Sequence, residues 1–332
     1  MHSFRTTLPP FNPHFQIQHT NSLMCIGSCF AENMSKRLSA AKFTTLVNPF
    51  GILYHPLHIA NCLDMISQDY VFGAEDLIQS QDRWYSHWHH SQFSHQDQSQ
   101  LILNLQNALA EAKPALAGTE IFIFTFGTAY CYEHNDTGIN VANCHKIPAN
   151  QFTKKKSSVE EILLRYKISL DSILELNPAA KFIFTVSPIR HLKDGIIENT
   201  SSKAILHLAV DALVKDYEQA YYFPSYELMM DDLRDYRFYK EDLLHPSEVA
   251  VQYIWAHFTA HLFSQDTQQL MSKIDAIQQA THHKAFHPKS EAHQQFLKTN
   301  LKKIAILKKE NPKFDFSKEE DFFNENIITQ KN

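Results

Sequence analysis

Two distant stretches of the chain hold side chains that could act together on a carbonyl. In "LMCIGSCFAENM" (residues 23–34) an apolar run ends at Gly27-Ser28 and a helical pattern follows at once. A serine at such a strand-to-helix turn has its hydroxyl at the sheet edge and its N–H among the unpaired donors of the helix N-terminus, which can hold a developing oxyanion. The same placement describes an ordinary N-cap, with Glu32 in the first turn. In "EDLLHPSE" (241–248) Asp242 and His245 stand three apart in a loop that Pro246 forces into a helix start. The carboxylate can there reach the imidazole and hold its tautomer, so Ser28, Asp242 and His245 form a candidate triad in the order Ser, Asp, His. Taken singly, Asp242 reads as a solvated acid and His245 as a residue at a helix start.

Other clusters carry weaker chemistry. The stretch "WYSHWHHSQFS" packs His87, His89 and His90 among four aromatic rings. It could be a metal site, a substrate-facing wall built on His87 and His90, or a packed aromatic loop. No Cys or carboxylate at ligand spacing accompanies the histidines, so no metal is expected. In "NCHKIP" Cys144 and His145 are adjacent and would point to opposite sides of an extended segment, which argues against a Cys-His pair. Cys29, beside Ser28, would turn toward the packing side of its helix. "SPIRH" puts Arg190 and His191 at a strand end, where a cation could bind a carboxylate or phosphate of a substrate or simply form a surface pair. The lysines 154–156 read as a solvated loop.

These residues need elements to position them. The run 23–27 reads as a buried strand, 30–40 as an amphipathic helix, "FTTLV" (43–47) as a short strand, and 57–67 as a helix. A helix at about 99–113 should stop at Pro114 and Gly118. "EIFIFTFGTAY" (120–130) and "KFIFTVSPIRH" (181–191) are apolar, β-branched and aromatic, as central parallel strands must be. Helices are expected at 158–176, 199–220 and 246–262, with a short edge strand in "YYFPSYELM". Strand-helix alternation predicts a three-layer α/β/α domain with a central parallel sheet over residues 1–262. Residues 263–332 carry no strand signal and read as a helical extension ending in a loosely held polar tail. In an open α/β sheet ligands bind at the carboxyl ends of the strands, here at Gly27-Ser28, Asn48–Gly51, Gly127-Thr128 and Ser187-Pro188.

Composition narrows the partners. With 44% hydrophobic residues in 332, a formal charge of −5 and a pI near 6.5, neither nucleic acid nor an anionic membrane is an expected partner. A small or neutral substrate is the default. Five cysteines without a CxxC pair read as reduced thiols, and no window approaches 18 apolar residues, so a cytoplasmic protein is expected.

The segments "GSCFAENM", "NPFGILYHPL", "FTFGTAYCYE", "NCHKIP", "TVSPIRHLKDG" and "RFYKEDLLHPSEVA" resemble, in order, those of the GSCFA family, a set of bacterial proteins placed in the SGNH (GDSL-like) hydrolase superfamily. The resemblance spans roughly residues 1–262. It implies a flavodoxin-like fold, the nucleophile on Ser28, the Asp-x-x-His pair on Asp242 and His245, and an oxyanion-hole N–H from Gly51. The superfamily's G-x-N-D motif is replaced by Gly127-Thr128-Ala129-Tyr130. Thr128, Asn48 or Asn143 would then stand in for the lost asparagine, or the N–H groups of Ser28 and Gly51, with a donor near Gly127-Thr128, would suffice. The implied activity is acyl-ester hydrolysis or acyl transfer through an acyl-Ser28 intermediate, on O-acyl carbohydrates or small esters and without metal or organic cofactor. A non-catalytic binding protein on the same fold is the remaining alternative.

Overall fold

The runs Leu23–Gly27, Ile121–Phe126 and Lys181–Val186 are buried nearly end to end, as strands covered on both faces must be. The computed structural model describes residues 5–328. In chain order the elements are β1 (Leu23–Gly27), α1 (Cys29–Ala40), β2 (Thr45–Val47), α2 (Pro56–Ser67), β3 (Leu77–Ser80), β4 (Arg83–Ser86), β5 (Ser94–His95), α3 (Gln98–Gly118), β6 (Ile121–Phe126), β7 (Tyr130–His134), β8 (Asn140–Val141), β9 (Phe152–Lys156) and α4 (Val159–Leu176). After them come β10 (Lys181–Val186), α5 (Ile196–Asp216), β11 (Ala220–Tyr222), the single turn α6 (Ser225–Glu227) leading into a π-helical stretch, α7 (Glu248–Leu262), α8 (Gln265–His282), α9 (Glu291–Glu310) and α10 (Ser317–Asn326).

The central sheet has the order β2-β1-β6-β10-β11 with every pair parallel. Strand alternation divides the core. Cys25 and Ile123 face α1 and α7 with Phe30, Met34, Ile254 and Phe258, whereas Met24, Ile26, Phe124 and Phe184 face the layer that holds Leu63, Leu105, Tyr166 and Leu206. The result is the three-layer α/β/α domain expected. Counting parallel strands alone, the order is 2-1-3-4-5, in which the chain reverses its direction of winding between β1 and β6.

Several local expectations are corrected. α3 does not stop at Pro114 but runs on to Gly118; the buried Ala112 and Leu116 hold the last turns on the core, and this packing outweighs the lost N–H of the proline. The lysines at 154–156 lie on β9, not in a loop, and β9 pairs antiparallel with β7. There Lys154 Nζ meets Asp194 at 2.7 Å and sits 4.0 Å from the centre of the Tyr130 ring. The histidine-rich stretch is part of a second small antiparallel sheet, β3-β4-β5. The C-terminal tail is also ordered: α10 buries Phe323 in a core shared with Ile274, Ile277, Leu297, Ile304 and Phe316, and Glu319 receives the Lys42 ammonium at 2.8 Å. The last stretch of the expected tail, 329–332, lies outside the described residues.

Burial makes this fold acid-sensitive. His55 and His89 are pushed down to about 3, and His58, His145, His191 and His207 to about 4, in each case chiefly because burial penalises the charged ring. In the unfolded chain these rings titrate near 6.5. Between pH 6.5 and about 4 the unfolded state therefore binds protons that the folded state refuses, and stability falls as the pH drops. The melting temperature is expected to decline steadily as the pH is lowered from 6.5 to 4.5, measured by differential scanning calorimetry; a level profile across that window would contradict this account.

Candidate active site

Ser28 owes its position to Gly27. Gly27 takes φ +147°, and a Cβ there would lie 2.2 Å from the Thr125 carbonyl oxygen, so only glycine lets β1 approach β6 this closely before the turn. The following residue enters α1 as its N-cap, with extended backbone and Oγ accepting from the Phe30 N–H at 3.3 Å. Ser28 is thus at once a helix cap and the first residue past the strand end where the sheet reverses its winding, the place where open α/β sheets bind ligands. It is only 1% exposed.

Asp242 and His245 form a tight pair on an exposed loop. His245 Nδ1–H donates to Asp242 Oδ2 at 2.6 Å, and Asp242 Oδ1 accepts the backbone N–H groups of His245 and Leu244, each at 2.9 Å. Those two N–H bonds, with the ring N–H, hold the Asp242 carboxyl down at about 2. The loop is closed by Lys240 N–H donating to His245 O at 2.8 Å and carries Leu243 at φ +57°. With Nδ1 donating, Nε2 keeps the lone pair a general base needs. No hydrogen bond joins Ser28 to His245 among the described residues.

The backbone donors expected to form an oxyanion hole are already committed. Ser28 N–H donates to Thr125 O at 3.2 Å, Gly51 N–H to Asn48 O at 2.7 Å, and Gly127 and Thr128 N–H both to Tyr54 O, at 2.8 and 3.1 Å. The reason is local: each lies where a strand end or turn needs its N–H for its own closure. The Thr128 hydroxyl is likewise engaged, accepting from Tyr130 N–H at 3.1 Å and bonded to Ser202 Oγ. A different donor is free. Asn48, at φ +43°, accepts the Gly27 N–H on Oδ1 at 2.9 Å, which leaves its Nδ2 buried and without a partner. One amide therefore fixes the turn before Ser28 and offers an unsatisfied N–H beside it.

Two cations brace this rim. Lys203, on α5, is fully buried and donates to Gly127 O and Ser187 O, each at 2.7 Å, tying the ends of β6 and β10 together; burial lowers it to about 7. Nothing in the sequence reading singled it out, although a lysine in register with Asn199, Leu206 and Val210 on a buried helix face was a visible signal. Arg190 is engaged within the fold. Its Nη2 donates to Leu243 O at 2.6 Å while the guanidinium lies over Tyr239 and Tyr236, 5.1 and 5.8 Å from the ring centres. It clamps the loop that carries Asp242 and His245. His191 packs edge-on against Tyr54 at 5.3 Å, and its Nε2 is buried and unpaired.

The remaining expected pocket residues are held elsewhere. His90 N–H donates to Phe50 O at 2.9 Å, and its Cβ crowds Gly51. His87 is buried, 6.3 Å from His134 between ring centres, and Asn143 Oδ1 caps the His145 N–H at 2.9 Å. His89 stacks on Phe50 at 4.0 Å. This part of the chain is chiefly a packed aromatic layer. Among the described residues no group of three or more His, Cys, Asp or Glu could hold a metal ion, and no helix is long and apolar enough to cross a membrane. A cavity of about 420 Å³, lined by Arg37, Trp255 and Met271 among others, does not include Ser28.

With the geometry of Ser28, Asp242 and His245 described, comparison with known proteins adds the family. The model of the GSCFA family matches residues 22–258 and that of the GSCFA domain protein, C-terminal domain, residues 274–329. The chain belongs to the GSCFA family. No curated protein matches it. Among solved structures, this GSCFA protein is similar to one from Streptococcus pneumonia provisionally described as a platelet activating factor, at 14% identity and TM-score 0.38, covering 76% of this chain and 87% of that one. It is also similar to a carbohydrate esterase of family 3 from Talaromyces cellulolyticus, at 10% identity and TM-score 0.34, covering 76% and 98%.

The Arg190 clamp has a measurable consequence. Replacing Arg190 by Leu removes the charge-assisted bond to Leu243 O, worth about 1.5–3 kcal/mol, so amide exchange at Lys240, Leu244 and His245 should accelerate by about 10- to 100-fold. Hydrogen exchange read by NMR would show it, and unchanged protection of these amides would exclude the clamp.

Proposed function

We propose that this GSCFA protein is a serine acyl hydrolase of the SGNH type, acting on O-acyl esters of carbohydrates or small molecules through an acyl-Ser28 intermediate. The observation that carries the reading is the Asp242–His245 pair: a carboxylate held by two backbone N–H groups fixes Nδ1–H and leaves Nε2 as the acceptor. In the mechanism His245 Nε2 takes the Ser28 proton as Oγ attacks the ester carbonyl, then returns it to the departing alcohol. Asp242 stabilises the imidazolium formed in between. The carbonyl oxygen, now anionic, takes the unpaired Asn48 Nδ2–H, with the N-terminal field of α1 behind it. Water activated by His245 releases the acid. The step requires the exposed Lys240–His245 loop to bring Nε2 to Ser28, and substrate binding supplies that approach.

Acyl transfer with the same residues is the second reading, favoured by the closure of Ser28, whose 1% exposure keeps water from the acyl-enzyme. Asn48, Asp242, His245 and Ser28 have the same roles in both, and only the acceptor differs.

A fluorophosphonate probe should label the wild type at Ser28 and fail to label Ser28→Ala. On short-chain aryl esters His245→Ala is expected to lose about 10⁴-fold or more in kcat. Adding alcohol acceptors separates the two readings, because transesterification product grows at the expense of free acid in a transferase. Absence of Ser28-dependent labelling would leave a binding protein on this fold.

A further inference from the structure

Stabilising a tetrahedral oxyanion takes more than one aligned donor. Around Ser28 the strand-end N–H groups are spent, and Asn48 Nδ2 supplies one. A second side-chain donor on the same rim would complete the set.

His191 has the right placement. Its Nε2 lies 3.2 Å from where a Cβ of Gly127 would stand, so the edge of the ring rests on the Gly127 backbone, two residues beyond the Thr125 carbonyl that touches Gly27 and accepts from Ser28 N–H. Tyr54 connects the two sides: its ring meets His191 at 5.3 Å, and its hydroxyl lies 3.3 Å from Sγ of Cys29, the residue after Ser28. The main chain is held from behind, since the backbone N–H of His191 donates to Asn199 Oδ1 at 2.9 Å. His191 Nε2 and Asn48 Nδ2 are both shielded from solvent and unpaired, an arrangement that costs stability unless something else is gained from it.

We propose, on the reading of Ser28 as the nucleophile, that His191 is a catalytic residue whose Nε2–H, together with Asn48 Nδ2–H, holds the oxyanion, replacing the asparagine absent from the Gly127-Thr128-Ala129 turn. The group acts as a neutral donor. Burial first, then the positive charge of Lys203, hold His191 down at about 4, with Asp194 pulling the other way and His245 adding to the depression. The ring is therefore uncharged at neutral pH, and it leaves the proton transfer to His245.

Two variants separate donation from packing. His191→Phe keeps a ring against Tyr54 and Gly127 without the N–H; His191→Gln keeps an N–H donor without the ring. On an aryl ester turned over by the wild type, the Phe variant is expected to lose about 100- to 1,000-fold in kcat with KM within a few-fold, and the Gln variant to retain clearly more. The opposite ranking, an equal loss in both, or wild-type kcat in the Phe variant would overturn the assignment. A second measurement needs no variant. When the probe forms its Ser28 Oγ–P bond and releases fluoride, the phosphonyl oxygen occupies the oxyanion position, and the His191 Nε2 proton should move downfield in ¹⁵N-histidine-labelled protein. An unmoved resonance in a fully labelled adduct overturns the proposal while leaving Ser28 as nucleophile. If the wild type shows no Ser28 labelling, the underlying reading fails instead, and the donor assignment with it.

Discussion

The close approach of β1 to β6 at Gly27 is the constraint on which the candidate site rests. A methyl group at this position would collide with the Thr125 carbonyl at 2.2 Å, forcing apart the two strands between which the sheet reverses its winding. Because they stay together, Ser28 emerges at the reversal point, its N–H completes a bond to β6, and α1 starts beneath it with the serine as cap. The proposed nucleophile and the cap are the same residue for a geometric reason: a hydroxyl that accepts the Phe30 N–H already faces the end of the sheet.

The same economy of backbone bonds explains the donors. Buried N–H groups are almost always paired, and the turns after β1, β2 and β6 pair theirs with each other: Gly51 with Asn48, Gly127 and Thr128 with Tyr54. A tightly closed rim has few backbone N–H groups left to offer, and the donor it leaves unpaired beside Gly27 is a side-chain amide. Asn48 manages both tasks, one end of its amide for the fold and the other left open. Lys203 and Arg190 contribute from the second rank, the first by joining the ends of β6 and β10, the second by gripping the loop of Asp242 and His245.

Much of this was legible in the sequence, and the rest was not for definable reasons. The apolar runs at 23–27, 121–126 and 181–186 have the composition of central strands, and Gly27-Ser28 before a helical pattern marks a strand-to-helix turn whose serine serves as a cap, a site residue or both. What sequence could not supply was the pairing of donors. Whether the N–H of Gly51 or Gly127 is free depends on carbonyls of Asn48 and Tyr54 whose directions are set by the folded turn. Arg190 read as an anion ligand or a surface pair because its partner here, a backbone carbonyl at Leu243, has no sequence signature. Pro114 read as a helix stop because local rules cannot see that Ala112 and Leu116 are pinned to the core. The lysines of β9 read as a loop since an edge strand facing water has the composition of one.

Helix α1 has anchors at both ends. Ser28 caps its start, and just past its end Lys42 reaches Glu319 and the Phe316 ring of the C-terminal helical unit. At about 1.5 Å per residue the helix makes a rod of about 18 Å, and rods transmit displacement with little loss. The C-terminal unit therefore meets the far end of the same rod whose tip carries the serine hydroxyl, through Lys42 and through Gln278, whose side-chain amide donates to Ala40 O.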